Sequence, residues 1–218
     1  MQRYKFPRTP HLPFSPGYSG DDIRLCDISI FEQLGDIVVT EKMDGESTTI
    51  YSDGYIHARS ISGTNHPWQA WVKRELAPII SDIPYGWRIC GENVYGIHSI
   101  EYTELPTVFF VYSIIDEHNR VLSWDDILET TALLGLQTVP TLYRGAWSAI
   151  DPENISFHTL TSRFGPTIEG YIIRNAAAFP FEEYGANVAK YVRKGHVQTD
   201  EHWTENWKPA TIHKEGVC

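Results

Sequence analysis

A single α+β domain built on antiparallel sheets is the fold class that this sequence predicts. Three observations carry it: short β-branched and aromatic runs bounded by turn residues, two stretches with helical spacing of apolar residues, and no repeat or low-complexity linker across 218 residues. An apolar fraction of 42% is enough for a core in a domain of that size.

Residues 1–20 hold Pro7, Pro10, Pro13 and Pro16 and read as an extended arm over the surface. Within the arm, Arg8 and His11 are candidates for substrate contact, and a plain clamp on the domain is the preferred reading. The main domain is expected over 21–197. Its first strands are Ile37-Val38-Val39-Thr40 and Thr48-Thr49-Ile50-Tyr51, followed by a Ser52-Asp53-Gly54 turn and a return strand over Tyr55–Arg59. Pro67 opens a helix whose apolar face is Trp68, Trp71, Val72 and Leu76, at i, i+3, i+4 and i+8. Trp87–Cys90 and Val108–Tyr112 read as buried strands. Ser123-Trp124-Asp125-Asp126 resembles a capping box ahead of Ile127, Leu128, Leu133 and Leu134, a second helix. Two more strands are expected at Tyr171–Ile173 and Val188–Val192. The tail over 198–218 is polar, with Trp203 and Trp207.

Charge and cysteines restrict the function classes. A net charge of −10 argues against strong non-specific binding of nucleic acid, where phosphate contacts dominate affinity, yet a local basic groove is compatible with it. Three cysteines, Cys26, Cys90 and Cys218, show no CxxC spacing, which points to a reducing compartment. With no signal peptide and no membrane span in view, the cytoplasm is the expected location, with no membrane partner. His57, His66, His98 and His196 lack the tight spacing of a zinc site.

The chemistry centres on Glu41-Lys42-Met43-Asp44-Gly45-Glu46-Ser47, between two β-branched runs. A lysine side chain has an ordinary pKa near 10.4 and attacks phosphorus only after losing a proton. Burial and nearby cations can lower that value by roughly three units, about 4 kcal/mol. Gly45 would let backbone approach a phosphate, and Asp44 and Ser47 supply polar groups. Alone, Lys42-Met43-Asp44-Gly45 also fits a turn that ends a strand. Further along come Gly91-Glu92-Asn93-Val94-Tyr95-Gly96, then Ile168-Glu169-Gly170, each placing a carboxylate beside a strand. Lys190-Tyr191-Val192-Arg193-Lys194 then brings a cation cluster. Two carboxylates suit a divalent cation or a ribose hydroxyl, and cations suit charge developing on a phosphate.

This ordered set resembles the covalent nucleotidyltransferase superfamily of polynucleotide ligases and mRNA capping enzymes, and most closely the ATP-dependent RNA ligases of the type that includes phage RNA ligase 2. The resemblance runs from about Ile37 to about Lys194. It implies an ATP-grasp-like ligase adenylation fold of antiparallel sheets flanked by helices. By that resemblance Lys42 is the adenylated nucleophile, Glu41 reads the adenine edge, and Asp44 and Gly45 complete the first motif. Arg59 contacts phosphate, although it is also placed to pair with Asp53 across the hairpin. Glu92 contacts the ribose, Tyr112 stacks on adenine, Glu169 is linked to the catalytic metal, and Lys190 is the first cation of the last motif. Relatives more often carry Phe-Asp where this chain has Tyr112-Ser113. The second cation of the last motif is Arg193 or Lys194.

The implied cofactors are ATP and Mg²⁺ or Mn²⁺. The implied partner is RNA, as a nick or as single-stranded ends. The few residues after Lys194 do not suffice for an OB barrel, so a protein partner that supplies grip on the nucleic acid is a further expectation. The oligomeric state is not legible. A DNA ligase, a capping guanylyltransferase, and an ATP- or RNA-end-binding module without sealing activity are the competing readings. The short chain, Gly91-Glu92-Asn93 and His98-Ser99-Ile100-Glu101-Tyr102 favour RNA over DNA.

Overall fold

The computed structural model describes residues 1–18, 20, 22–61, 66–150, 161–195 and 207–213. Runs of β-branched and aromatic residues form two sheets. The first contains β1 (Asp36–Lys42), β8 (Thr141–Ala146), β9 (Gly170–Asn175) and β11 (Val188–Val192), in the order β11-β9-β1-β8 and antiparallel throughout. The second contains β2 (Glu46–Tyr51), β3 (Ile56–Ala58), β4 (Arg88–Asn93), β5 (Phe109–Ile115), β6 (Arg120–Val121) and β10 (Phe179–Pro180), in the order β10-β6-β5-β4-β2-β3. A short β7 (Gln137–Thr138) pairs with β5 in parallel. That pair departs from the purely antiparallel expectation. The chain crosses back through a helix after β5 and β6, and a helical crossover returns it in the same direction.

Among the described residues four α-helices flank the sheets: α1 (Ser29–Glu32), α2 (Pro67–Leu76), α3 (Trp124–Leu133) and α4 (Tyr184–Asn187). Pro67 occupies the first turn of α2, where a missing N–H costs nothing. Ser123 caps α3 by accepting the Asp126 N–H at 3.2 Å. The apolar faces of α2 and α3 close one core against the second sheet, through Val72, Leu76, Trp124 and Ile127 with Ile89, Phe110 and Ile114. The first sheet buries Ile37, Val39, Tyr171 and Ile173 with Phe31 of α1. A third cluster joins both sheets: Cys90 and Ile115 meet Val188, Phe179 and Tyr184, with Phe6 among them.

The N-terminal arm is not laid over the surface as the prolines suggest, because Phe6 and Leu12 are buried in two of these clusters. Its backbone extends the first sheet instead. Lys190 N–H donates to the Pro10 carbonyl at 2.8 Å, Leu12 N–H to Lys190 O at 2.8 Å, and Gly17 N–H to Val192 O at 2.9 Å. Prolines suit such an edge, where only alternate groups face the neighbouring strand. At its other end the arm grips the second sheet, with Arg3 forming a bidentate pair with Asp53 at 2.6 and 3.0 Å. Asp53 is thus the partner of Arg3, which answers the hairpin pairing considered for Arg59. Of the tail, residues 207–213 dock beside 95–105. His196, Gln198 and Trp203 lie outside the described residues. Among the described residues no helix is long and apolar enough to cross a membrane.

Candidate active site

The two sheets enclose a cavity of about 390 Å³. Strand periodicity decides which side chains face it. Across the first sheet, Thr40 of β1, Ile172 of β9 and Lys190 of β11 are paired in one row, and Arg174 and Val188 in the next; all line the cavity. Lys42 ends β1 and pairs with Gly170, so Glu169 stands immediately beside it. The Lys42 ammonium donates a short hydrogen bond to Glu169 Oε2. The second sheet contributes Glu46, Ser47, Glu92 and Tyr112. The arm adds Arg8, the segment just after it adds Asp22, and the residue after β3, Arg59, closes the ring.

The RNA ligase family model matches residues 35–192, well over half of the chain. The chain belongs to the RNA ligase family. Among solved structures, this RNA ligase family member is similar to the Naegleria gruberi RNA ligase. A mutant with ATP and Mn gives 16% identity and a TM-score of 0.54, and the ligase with PPi gives 17% and 0.55. A further mutant with AMP and Mn gives 16% and 0.54. Each match covers 78% of this chain and 53% of the other, so this family member spans about half the length of those proteins. No curated protein matches it. The fold likeness and the family match agree with the nucleotidyltransferase resemblance carried by the motifs.

Of the residues singled out in the sequence, Glu41, Lys42, Gly45, Arg59, Glu92, Tyr112 and Lys190 line the one cavity, and Glu169 meets it through Lys42. Asp44 does not line it. Its Oδ2 accepts from Ser99 N–H at 2.8 Å, Ser99 Oγ at 2.9 Å and Ile100 N–H at 2.7 Å, so it ties the Lys42 turn to the 98–102 loop. Gly45 faces the cavity, yet a Cβ there would stand 2.4 Å from the Asn93 carbonyl oxygen. Close approach of β4 explains that glycine without a phosphate. Arg193 and Lys194 lie past the end of β11 and do not line the cavity. The further guanidinium groups come from Arg174 and Arg8.

Electrostatics correct one expectation. Burial lowers the Lys42 pKa as foreseen, but Glu169, Glu92 and Asp44 outweigh it, and the value lies above that of an ordinary lysine. The cation at Lys190 is held low, first by burial and also by Lys42, against the pull of Asp22 and Glu169. Lys190 Nζ lies 3.5 Å from Asp22 Oδ1. Burial, with help from Arg8, also depresses Arg59, whose Nε is buried without a hydrogen-bond partner. Arg174 is lowered to about 10 by burial, and donates to the carbonyls of Tyr112 at 3.3 Å and Leu122 at 2.9 Å, bridging the sheets.

Glu41 is 1% exposed, with Oε1 unpartnered. Burial raises its pKa against hydrogen bonds from Ser162 and the Arg163 N–H. Tyr112 is anchored through its hydroxyl, 2.7 Å from Ser47 Oγ. Glu92 and Glu169 are the carboxylates about Lys42 with the hard oxygen donors that suit a divalent cation. No group of three or more His, Cys, Asp or Glu side chains is gathered for a metal among the described residues.

Sequence reasoning missed Asp22 and Arg174. Arg174 left a signal, an arginine two residues from Ile172 on a strand of otherwise buried side chains. Asp22 left none, since its position depends on where the arm turns. His11, a substrate candidate, is instead buried against Ser15 Oγ at 2.8 Å and Asp22 at 3.3 Å.

Proposed function

We propose that this family member is an ATP-dependent RNA ligase in which Lys42 carries AMP as a covalent intermediate. One observation supports the reading above the others: a lysine at a strand end faces a cavity ringed by Lys190, Arg59, Arg174 and Arg8, with a buried carboxylate oxygen of Glu41 at the same cavity. Cations fit a polyphosphate, and a lone acceptor fits the amino group of adenine. Tyr112 offers a ring held in place by Ser47 for stacking on the base.

In the first step the ammonium of Lys42 sheds a proton, for which Glu169 is the acceptor in contact. Nζ then attacks the α-phosphorus of ATP. An N–P bond forms, the bond to the bridging oxygen breaks, and pyrophosphate leaves with that electron pair. Lys190 and Arg59 stabilise charge on the phosphate oxygens, and the fixed geometry supplies much of the acceleration. Glu92 and Glu169 would hold a divalent cation. Such a cation, when bound, would offset negative charge on the phosphates and the carboxylates and so favour the neutral amine of Lys42. Lys42 next yields AMP to the 5′-phosphate of RNA, and a 3′-hydroxyl displaces AMP to seal the strand.

The test uses α-labelled ATP with Mg²⁺ after pyrophosphate treatment to strip any AMP already attached. A labelled protein band on a denaturing gel is expected, and Lys42→Ala is expected to abolish it. Wild type that binds ATP yet never takes up label would sink the covalent reading. Nicked substrates of all-RNA and all-DNA then separate RNA from DNA sealing.

A further inference from the structure

The ATP reading assigns base recognition to Glu41 but does not say what orients a carboxylate with two equivalent oxygens. Glu41 sits near the end of β1, buried, with its Oε2 accepting the Arg163 N–H at 3.4 Å and Oε1 left without a partner. Ser162, the residue before Arg163, is also buried, and its hydroxyl holds the Glu41 pKa down against burial. The Ser162 oxygen accepts the Phe164 N–H at 3.1 Å. A hydroxyl has a single hydrogen, and with its oxygen engaged by Phe164 that hydrogen is free to go to Glu41. The Ser162–Phe164 turn is itself fixed. Its Phe164 carbonyl accepts from Thr103 at 2.8 Å and Glu104 at 3.2 Å, and the Phe164 ring packs on Phe110 at 5.1 Å.

We propose that Ser162 is a positioning residue for nucleobase choice: by occupying one side of the Glu41 carboxylate it leaves the other as an acceptor-only edge, which selects a purine with an amino group at C6 over one with an oxo group. This rests on the ATP reading. An amino group donates to that edge. An oxo group places two acceptors face to face and leaves a buried carboxylate oxygen unpaired, the situation that gives polar sites their sharp discrimination. Nothing in the primary structure marks Ser162, which is more than a hundred positions from Glu41 and meets it only through the fold.

The experiment compares ATP with inosine triphosphate, which differs at C6 and N1. Displacement of a fluorescent ATP analogue measures binding, and labelling of Lys42 is followed in parallel. Wild type is expected to prefer ATP. Ser162→Ala is expected to lower the ATP-to-ITP ratio about tenfold, the scale of one charged hydrogen bond of 1.4 kcal/mol, while Ser162→Thr restores it. Ser162 holds the Glu41 pKa down against burial, so Ser162→Ala should also lose its ATP preference at a higher pH than wild type as the buffer is acidified. A role in folding alone would move neither readout. A folded Ser162→Ala with an unchanged ratio overturns the inference. Should that variant not fold, Ser162→Cys, close in size and a weak donor, must show a severalfold drop or the inference fails. Wild type that binds ATP and ITP equally overturns it while labelling stands. Wild type that prefers ATP but never labels sinks the covalent reading and leaves the Ser162 test intact.

Discussion

Glu92 shows how a candidate site carries a cost in stability. Burial pushes its pKa up to about 8, reinforced by Glu169, Asp44 and Glu46 and opposed by Lys42. The folded value lies above the ordinary 4.5, so the fold prefers the protonated acid. The stability this group contributes is full below its unfolded pKa and is lost as pH rises through about 8. Glu92→Gln stays neutral at every pH. It is expected to match wild type in thermal unfolding below pH 4.5, to gain on it as the buffer is raised from there to about 8, and to keep a constant margin above that. Unfolding curves that run parallel across that range would contradict the assignment. At this scale the sequence was informative where chemistry is narrow. A lysine beside a carboxylate and a glycine has few uses, and Lys42, Glu169 and Lys190 do come together. It was uninformative where a role depends on distance through the fold. Asp44 and Gly45 carry the same motif, yet one ties a loop and the other yields to the Asn93 carbonyl.

At the level of elements, the arm is part of the core rather than an appendage. Leu12 is fully buried among Ile37, Tyr171 and Ala189. Truncating it to alanine is expected to cost about 2–5 kcal/mol, the range for a buried leucine. The same change at exposed Lys5 should cost close to nothing. Urea unfolding midpoints of the two variants provide the check, and equal midpoints would mean that the arm lies loose. Apolar periodicity made β1, β2, β4, β5, β9, β11, α2 and α3 legible, because each buries a face with a regular repeat. It did not reveal β8, whose side chains are mostly exposed at a sheet edge, nor the two-residue strands β6, β7 and β10, too short to show a period. The arm clamps the domain, as one of its two readings had it, but not from the surface: proline argues for extended backbone and says nothing about what that backbone lies against.

For the molecule as a whole, a net charge of −10 surrounds a cavity lined with cations. On the proposed ligase reading, RNA is attracted only at the cavity, and counterion release makes that attraction fall with salt. Sealing of an RNA nick is therefore expected to drop steeply between about 50 and about 200 mM salt, whereas labelling of Lys42 by ATP changes far less. Rates of both steps over a salt series decide the matter, and a sealing rate as flat as labelling would place RNA recognition outside electrostatics. The course of the chain between the sheets has a mechanical consequence. Lys42 ends a strand of one sheet and Glu46 begins a strand of the other, so Met43, Asp44 and Gly45 form a three-residue tether beside the lysine. If the sheets spread to admit or release a base, displacement grows with distance from that tether, as it does along the arms of a pair of tongs. Lys42 sits at the pivot. Its amine would then stay put while the far rim travels, and the atom proposed to meet phosphorus would be the one the motion disturbs least.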